Sequence, residues 1–149
     1  MPVFRYKFAR ILTVKEKDEE QAKLILAEAM GVRDQAMLAV KVAKEELLAL
    51  ESDFRELASG HLAVAWLRQY HNQLEAFKKK IHHKEQILLE KEQLVEEKRL
   101  ALVEAMKQRK IYENLKERAF EAYLKEEEHA AQLQLDELVS YKYNSEINT

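Results

Sequence analysis

The chain has 149 residues, 35 % of them charged and 47 % hydrophobic, with two glycines and one proline, Pro2. A chain so poor in punctuation, and dominated by Ala, Glu, Lys, Leu and Arg, has the composition of long helices or coiled coils. The absence of cysteine excludes disulfides and thiolate metal sites, and a net charge of −2 with both signs mixed throughout argues against a nucleic-acid binder.

The opening Met1-Pro2-Val3-Phe4-Arg5-Tyr6-Lys7-Phe8 is positively charged but lacks an apolar h-region and a small-residue cleavage site. It reads as mature protein, and the chain as cytoplasmic. Phe4, Phe8 and Leu12 share a helical face, which predicts a helix from about Val3. Thr13-Val14-Lys15-Glu16 is also a capping box, which would start the helix at Thr13 and leave the aromatics free. Phe4, Tyr6 and Phe8 are thus either seam residues reaching toward residues 112–120 or a docking arm. The seam is favoured, because an apolar stripe in a long helix is usually packing.

From Ala22 to Leu57 one apolar residue recurs every three or four positions: Ala22, Ile25, Ala29, Val32, Ala36, Ala39, Ala43, Leu47, Leu50, Phe54 and Leu57. Steps of three and four alternate, apart from a doubled step of four around Ala43. This pattern predicts a heptad seam with one local stutter, on a helix that packs along its whole length. The only internal break is Ala58-Ser59-Gly60-His61-Leu62-Ala63, where Gly60 can take the left-handed conformation that closes a helix. Helix one is therefore expected over about 4–58 and the turn over about 59–63. Helix two is expected over about 64–139, poorly capped by Ala63, with a flexible tail at 140–149.

In the second segment Leu67, Tyr70, Leu74, Phe77 and Ile81 step by three or four, and Leu88, Val95 and Leu102 then recur every seven. Lys84, Lys91 and Lys98 occupy the other seam position, where a lysine can bury its stem and float its ammonium, making a looser contact. The stripe returns through Ala105, Tyr112, Leu115, Ala119, Ala122 and Tyr123, and ends with Ala130, Leu133 and Leu138. Antiparallel pairing about Gly60 places residue 22 opposite about 98 and residue 8 opposite about 112. Residues 113–139 are then unpaired unless the N-terminus folds back onto them. An overhang with apolar positions on one face asks for a partner.

No apolar run approaches the ~18 residues of a membrane span. With only Gly31 and Gly60, a phosphate-cradling Gly-rich loop is impossible. His82 and His83 are adjacent and point to different faces, and His71 with Glu75 supplies too few ligands for zinc. Lys78-Lys79-Lys80 and Glu126-Glu127-Glu128 read as solvated helix faces, and no nucleophile constellation exists. The expectation is a non-enzyme without cofactor, metal, nucleic acid or small-molecule substrate.

The opening Phe4-Arg5-Tyr6-Lys7-Phe8-Ala9-Arg10-Ile11-Leu12, followed by Lys15-Glu16-Lys17 and an Ala-rich helix, resembles the flagellar type III export protein family FliJ. Tyr70, Leu74, Phe77 and Ile81 match a family pattern in which Gln73 stands where an apolar residue is expected. Tyr112-Glu113-Asn114-Leu115-Lys116-Glu117-Arg118, Phe120, Tyr123 and Gln134-Leu135-Asp136-Glu137-Leu138 resemble its C-terminal block, so the resemblance runs from about Val3 to Val139. It implies a cytoplasmic component peripherally associated with the inner membrane at the flagellar base, similar to the stalk subunit of rotary ATPases. The implied partners are the export ATPase hexamer and its regulator, the membrane protein of the export gate, and export chaperones. On that reading Phe4, Phe8, Tyr112, Lys116, Arg118, Tyr123 and Asp136 at the open end contact the ATPase ring. Tyr70, Leu74, Phe77 and Ile81 near the turn contact the gate. The expected fold is an all-α, long antiparallel two-helix coiled-coil hairpin with unequal arms. The alternative function is a self-associating structural coiled coil, a dimer or four-helix bundle with a scaffold role.

Overall fold

The computed structural model describes residues 3–58, 60 and 63–148, and among these the regular structure is entirely helical. Two helices pack against each other, α1 over Ala9–Leu57 and α2 over Val64–Ile147, with no strand among the described residues. The fold is a helical hairpin. Tertiary contacts group into two units: Glu20–Val103, and Met1–Glu19 with Glu104–Thr149.

In the unit Glu20–Val103 the buried or half-buried positions of α1 are Ala22, Leu26, Ala29, Arg33, Ala36, Val40, Ala43, Leu47, Leu50 and Phe54, with Val32, Ala39 and Glu51 beside them. Steps of four and three alternate through the main series, and Ala43 is the most enclosed at 2 % exposure. The expected stutter is absent, and the seam is a strict heptad. The apparent stutter came from following apolar residues alone. Ile25 is 38 % exposed while Leu26 faces inward, and Arg33 holds a seam position that an apolar search skips. On α2 the half-buried positions Tyr70, Leu74, Phe77, Ile81, Leu88, Val95 and Leu102 follow the same rule. Lys84, Lys91 and Lys98 are half-buried at the other seam position, with Ile87 and Leu94 alongside. Lys80 with Glu46 at 3.0 Å and Lys44 with Glu85 at 3.3 Å tie the helices at the exposed rim. Such pairs contribute about 0–1 kcal/mol each. They lie further along α2 than pairing centred on Gly60 places them.

The turn differs from expectation at Gly60, whose φ is not positive. The helix closes instead with an ordinary α-helical bond from the Ala58 amide to the Phe54 carbonyl at 2.8 Å, followed by one tighter three-residue bond from the Gly60 amide to the Leu57 carbonyl at 3.3 Å. Ser59, His61 and Leu62 lie outside the described residues. Ala63 precedes α2 and contributes only its carbonyl, which accepts from the amides of Trp66 and Leu67.

In the other unit α1 begins at Ala9, between the two starts the sequence offered, about Val3 and Thr13. Thr13 is not a cap; its hydroxyl donates to the Ala9 carbonyl at 3.1 Å inside the helix. Leu12 and Glu19 are each 6 % exposed, and Lys15 is half-buried between them. The α2 positions half-buried in this unit include Ala105, Arg109, Tyr112, Ala119, Tyr123 and Glu127. At the far end α2 runs on to Ile147 through residues expected to form a flexible tail. Nothing from 140 to 147 breaks a helix, so one already nucleated propagates.

Candidate functional site

Residues 3–6 have no regular secondary structure and lead through a turn at Lys7 and Phe8 into α1. In extended backbone alternate side chains share a side, and here Phe4, Tyr6 and Phe8 are half-buried while Val3, Arg5 and Lys7 are exposed. The three inward rings meet aromatic residues of α2. The Phe4 ring lies 5.2 Å from Phe120, edge-on, and 5.4 Å from Tyr123. Phe8 meets Tyr112 edge-on at 6.2 Å, and Tyr6 packs against Phe8 at 5.9 Å. Each such pair contributes about 0.5–1.5 kcal/mol beyond its buried area. The Tyr6 hydroxyl donates to the Tyr112 backbone carbonyl at 2.8 Å. Burial foremost, and Tyr112 nearby, push the Tyr6 phenol above its ordinary value.

Below this strap an ionic cluster fixes the seam. The Arg109 guanidinium donates to the buried carboxylate of Glu19 and, at 2.7 Å, to Glu113. The two carboxylates, Glu113 foremost, raise the arginine's pKa. A charged group at a seam position gives up some stability for a defined register.

Beyond the strap, residues 128–148 of α2 are all exposed. They include Leu133, Leu135, Leu138, Val139, Tyr141, Tyr143 and Ile147. The stretch 126–148 carries six Asp or Glu against a single Lys. The overhang anticipated from residue 113 is thus shorter, because the N-terminal segment folds back over α2 as far as Tyr123 and its neighbours.

Of the residues expected at the open end, Phe4 and Tyr123 belong to one aromatic group and Phe8 and Tyr112 to a second. Lys116 and Arg118 are exposed on the same stretch of α2, and Asp136 is exposed further along, accepting from the Gln132 amide at 3.3 Å. Phe120 completes the first group and Tyr6 the second. Tyr6 could have been placed by the strict alternation of aromatic and basic residues from Phe4 to Phe8. Phe120 gives no such signal, since it lies one residue off the apolar stripe.

The residues expected near the turn, Tyr70, Leu74, Phe77 and Ile81, are half-buried along one face of α2. Tyr70 stacks on Phe54 with ring centres 3.7 Å apart, and the Lys80 ammonium lies 5.9 Å above the Phe77 ring. Leu50, Leu57, Trp66 and Gln73 line a groove of about 250 Å³ beside the stacked pair.

Among the described residues no three His, Asp or Glu side chains gather as metal ligands, and no helix is long and apolar enough to cross a membrane. The arrangement is suited to contacts along helix faces.

Comparison with known proteins gives two positive findings. A family model described as flagellar FliJ protein matches residues 4–147. A solved structure of a YscO homologue, CT670 from Chlamydia trachomatis, superposes with a TM-score of 0.76 at 17 % identity, covering 99 % of each chain. At that identity the likeness is one of fold. No curated protein matches the chain.

Proposed function

The chain belongs to the flagellar FliJ protein family, components of type III protein export, and from that premise we propose that it is a non-catalytic coupling component between the cytoplasmic export ATPase ring, the membrane export gate and substrate chaperones. The reading rests on one observation above all. The end of α2 that the family match includes carries a run of exposed apolar side chains from Leu133 to Ile147 beside the aromatic groups. Monomeric surfaces rarely leave such a run uncovered. Phe4, Phe8, Tyr112, Lys116, Arg118, Tyr123 and Asp136 form the ATPase-facing surface, and Tyr70, Leu74, Phe77 and Ile81 the gate-facing one. The protein works in the cytoplasm at the inner-membrane base of the flagellum.

The charges at Lys116 and Arg118 support no packing, so reversing them separates binding from folding. The double variant Lys116→Glu, Arg118→Glu should keep helicity and Tm while weakening binding to the export ATPase and stimulation of its ATP hydrolysis by about tenfold. Unchanged stimulation would remove this surface from the contact.

The same exposed run favours a second reading, self-association into a dimer or four-helix bundle. Six carboxylates against one lysine in residues 126–148 oppose pairing of two copies there. Light scattering of the isolated chain decides: the export reading expects 17.6 kDa, and a salt-insensitive dimer supports the alternative.

A further inference from the structure

Residues 3–8 behave as a ligand that the chain supplies to itself. They form one wall of an open groove of about 670 Å³, whose other wall, on α2, includes Leu115, Ala119, Tyr123, Glu126 and Glu127. Among the described residues no backbone hydrogen bond joins the segment to α2. Among the described residues the link includes ring contacts from Phe4 and Phe8 and a hydrogen bond from the Tyr6 hydroxyl to the Tyr112 carbonyl. Arg5 and Lys7 alternate with these rings, and the groove supplies two carboxylates within its wall. Detaching the segment from α2 therefore breaks side-chain contacts, while its backbone bonds run to α1, whose Ala9 and Leu12 amides donate to the Tyr6 and Phe8 carbonyls.

The geometry points to an exchangeable docking site. An extended segment of a partner protein, with aromatic side chains alternating with Lys or Arg, takes the place of residues 3–8 on α2. The resident segment is the template for that chemistry, and Glu126 and Glu127 in the same lining complement the cationic half of the pattern. The groove is also continuous with the exposed residues 128–148 of the same helix. A short tether gives the resident an effective concentration of roughly millimolar, which a free short segment does not match. A partner that first seats on the exposed run approaches the groove as an intramolecular competitor and displaces the resident. This inference does not depend on which export component the partner is.

The test uses the full chain and a fluorescent peptide with the sequence of residues 3–10 as probe. In the variant Phe4→Ala, Tyr6→Phe the peptide should bind about tenfold more tightly than to the unaltered chain, with helicity unchanged. Adding Tyr123→Ala should abolish that binding, and a peptide with Glu in place of its Arg and Lys residues should not bind. Equal binding to both chains, or equal binding by the Glu peptide, overturns the proposal. A measurement on the unaltered chain does not depend on how the variants fold. NMR contacts between Phe4 and Tyr123 should fade as the peptide approaches millimolar concentration, and their persistence also overturns it. A concentration-dependent doubling of mass that Phe4→Ala abolishes would make the occupant a second copy and refute assignment to a different partner.

Discussion

Tyr6 joins the N-terminal strap to α2 through its hydroxyl, and that bond requires the neutral phenol. Its pKa is raised in the folded chain, mainly by burial. The strap's contribution is therefore complete below the ordinary phenol value near 10. It is lost as pH rises through the higher folded value. Absorbance titration at 295 nm should show a tyrosine step above the ordinary phenol value, and Tyr6→Phe should remove it. A titration curve that Tyr6→Phe leaves unchanged at its alkaline end would contradict the buried, hydrogen-bonded phenol. At this scale the sequence was only partly legible. The aromatic residues at the open end were identifiable, but Phe4, Phe8 and Leu12 satisfy a helical spacing as well as Phe4, Tyr6 and Phe8 satisfy an extended one. The structure chooses the second because it turns all three rings toward α2. Glu19 and Arg109 were invisible to an apolar search, since their place in the seam depends on meeting each other across two distant segments.

Helix by helix, legibility was higher. Only two interior glycines and no interior proline force long helices, and spacing in sevens marks the face each one buries. The stutter was an artefact of demanding apolar residues: with Glu19 and Arg33 admitted, α1 keeps one register from Leu12 to Phe54. The end of α2 was misjudged for a related reason, because polar residues at 140–147 suggested a tail although none of them stops a helix. The lysine-bearing seam position makes α2 dependent on its other one. Val95 and Leu88 are half-buried there, so Val95→Asp or Leu88→Asp places a carboxylate against α1. Each should cost about 2–3 kcal/mol, lowering Tm by several degrees in circular dichroism melts. An unchanged melt would refute the seam assignment.

For the molecule as a whole, the pattern that specifies the fold also limits what it can do. Its core among the described residues amounts to Leu12, Ala29, Val40 and Ala43, with Glu19 as a buried charge, and no residue of α2 is fully buried. The accessible surface of 12201 Å² compares with roughly 7,900 Å² for a globular protein of this mass. A chain with so much surface and so little interior is suited to holding other proteins. The family match gives that role its setting in flagellar export, and the exposed end of α2 gives it a candidate place. The sequence alone foretold an uncovered stretch but not where it begins, because the covering strap is only a few residues long and irregular. The most direct test is amide hydrogen exchange of the full chain with and without the purified export ATPase. The account predicts protection concentrated in residues 3–8 and 112–148, with residues 20–103 little changed. Protection confined to 20–103, or none at saturating ATPase, would contradict it.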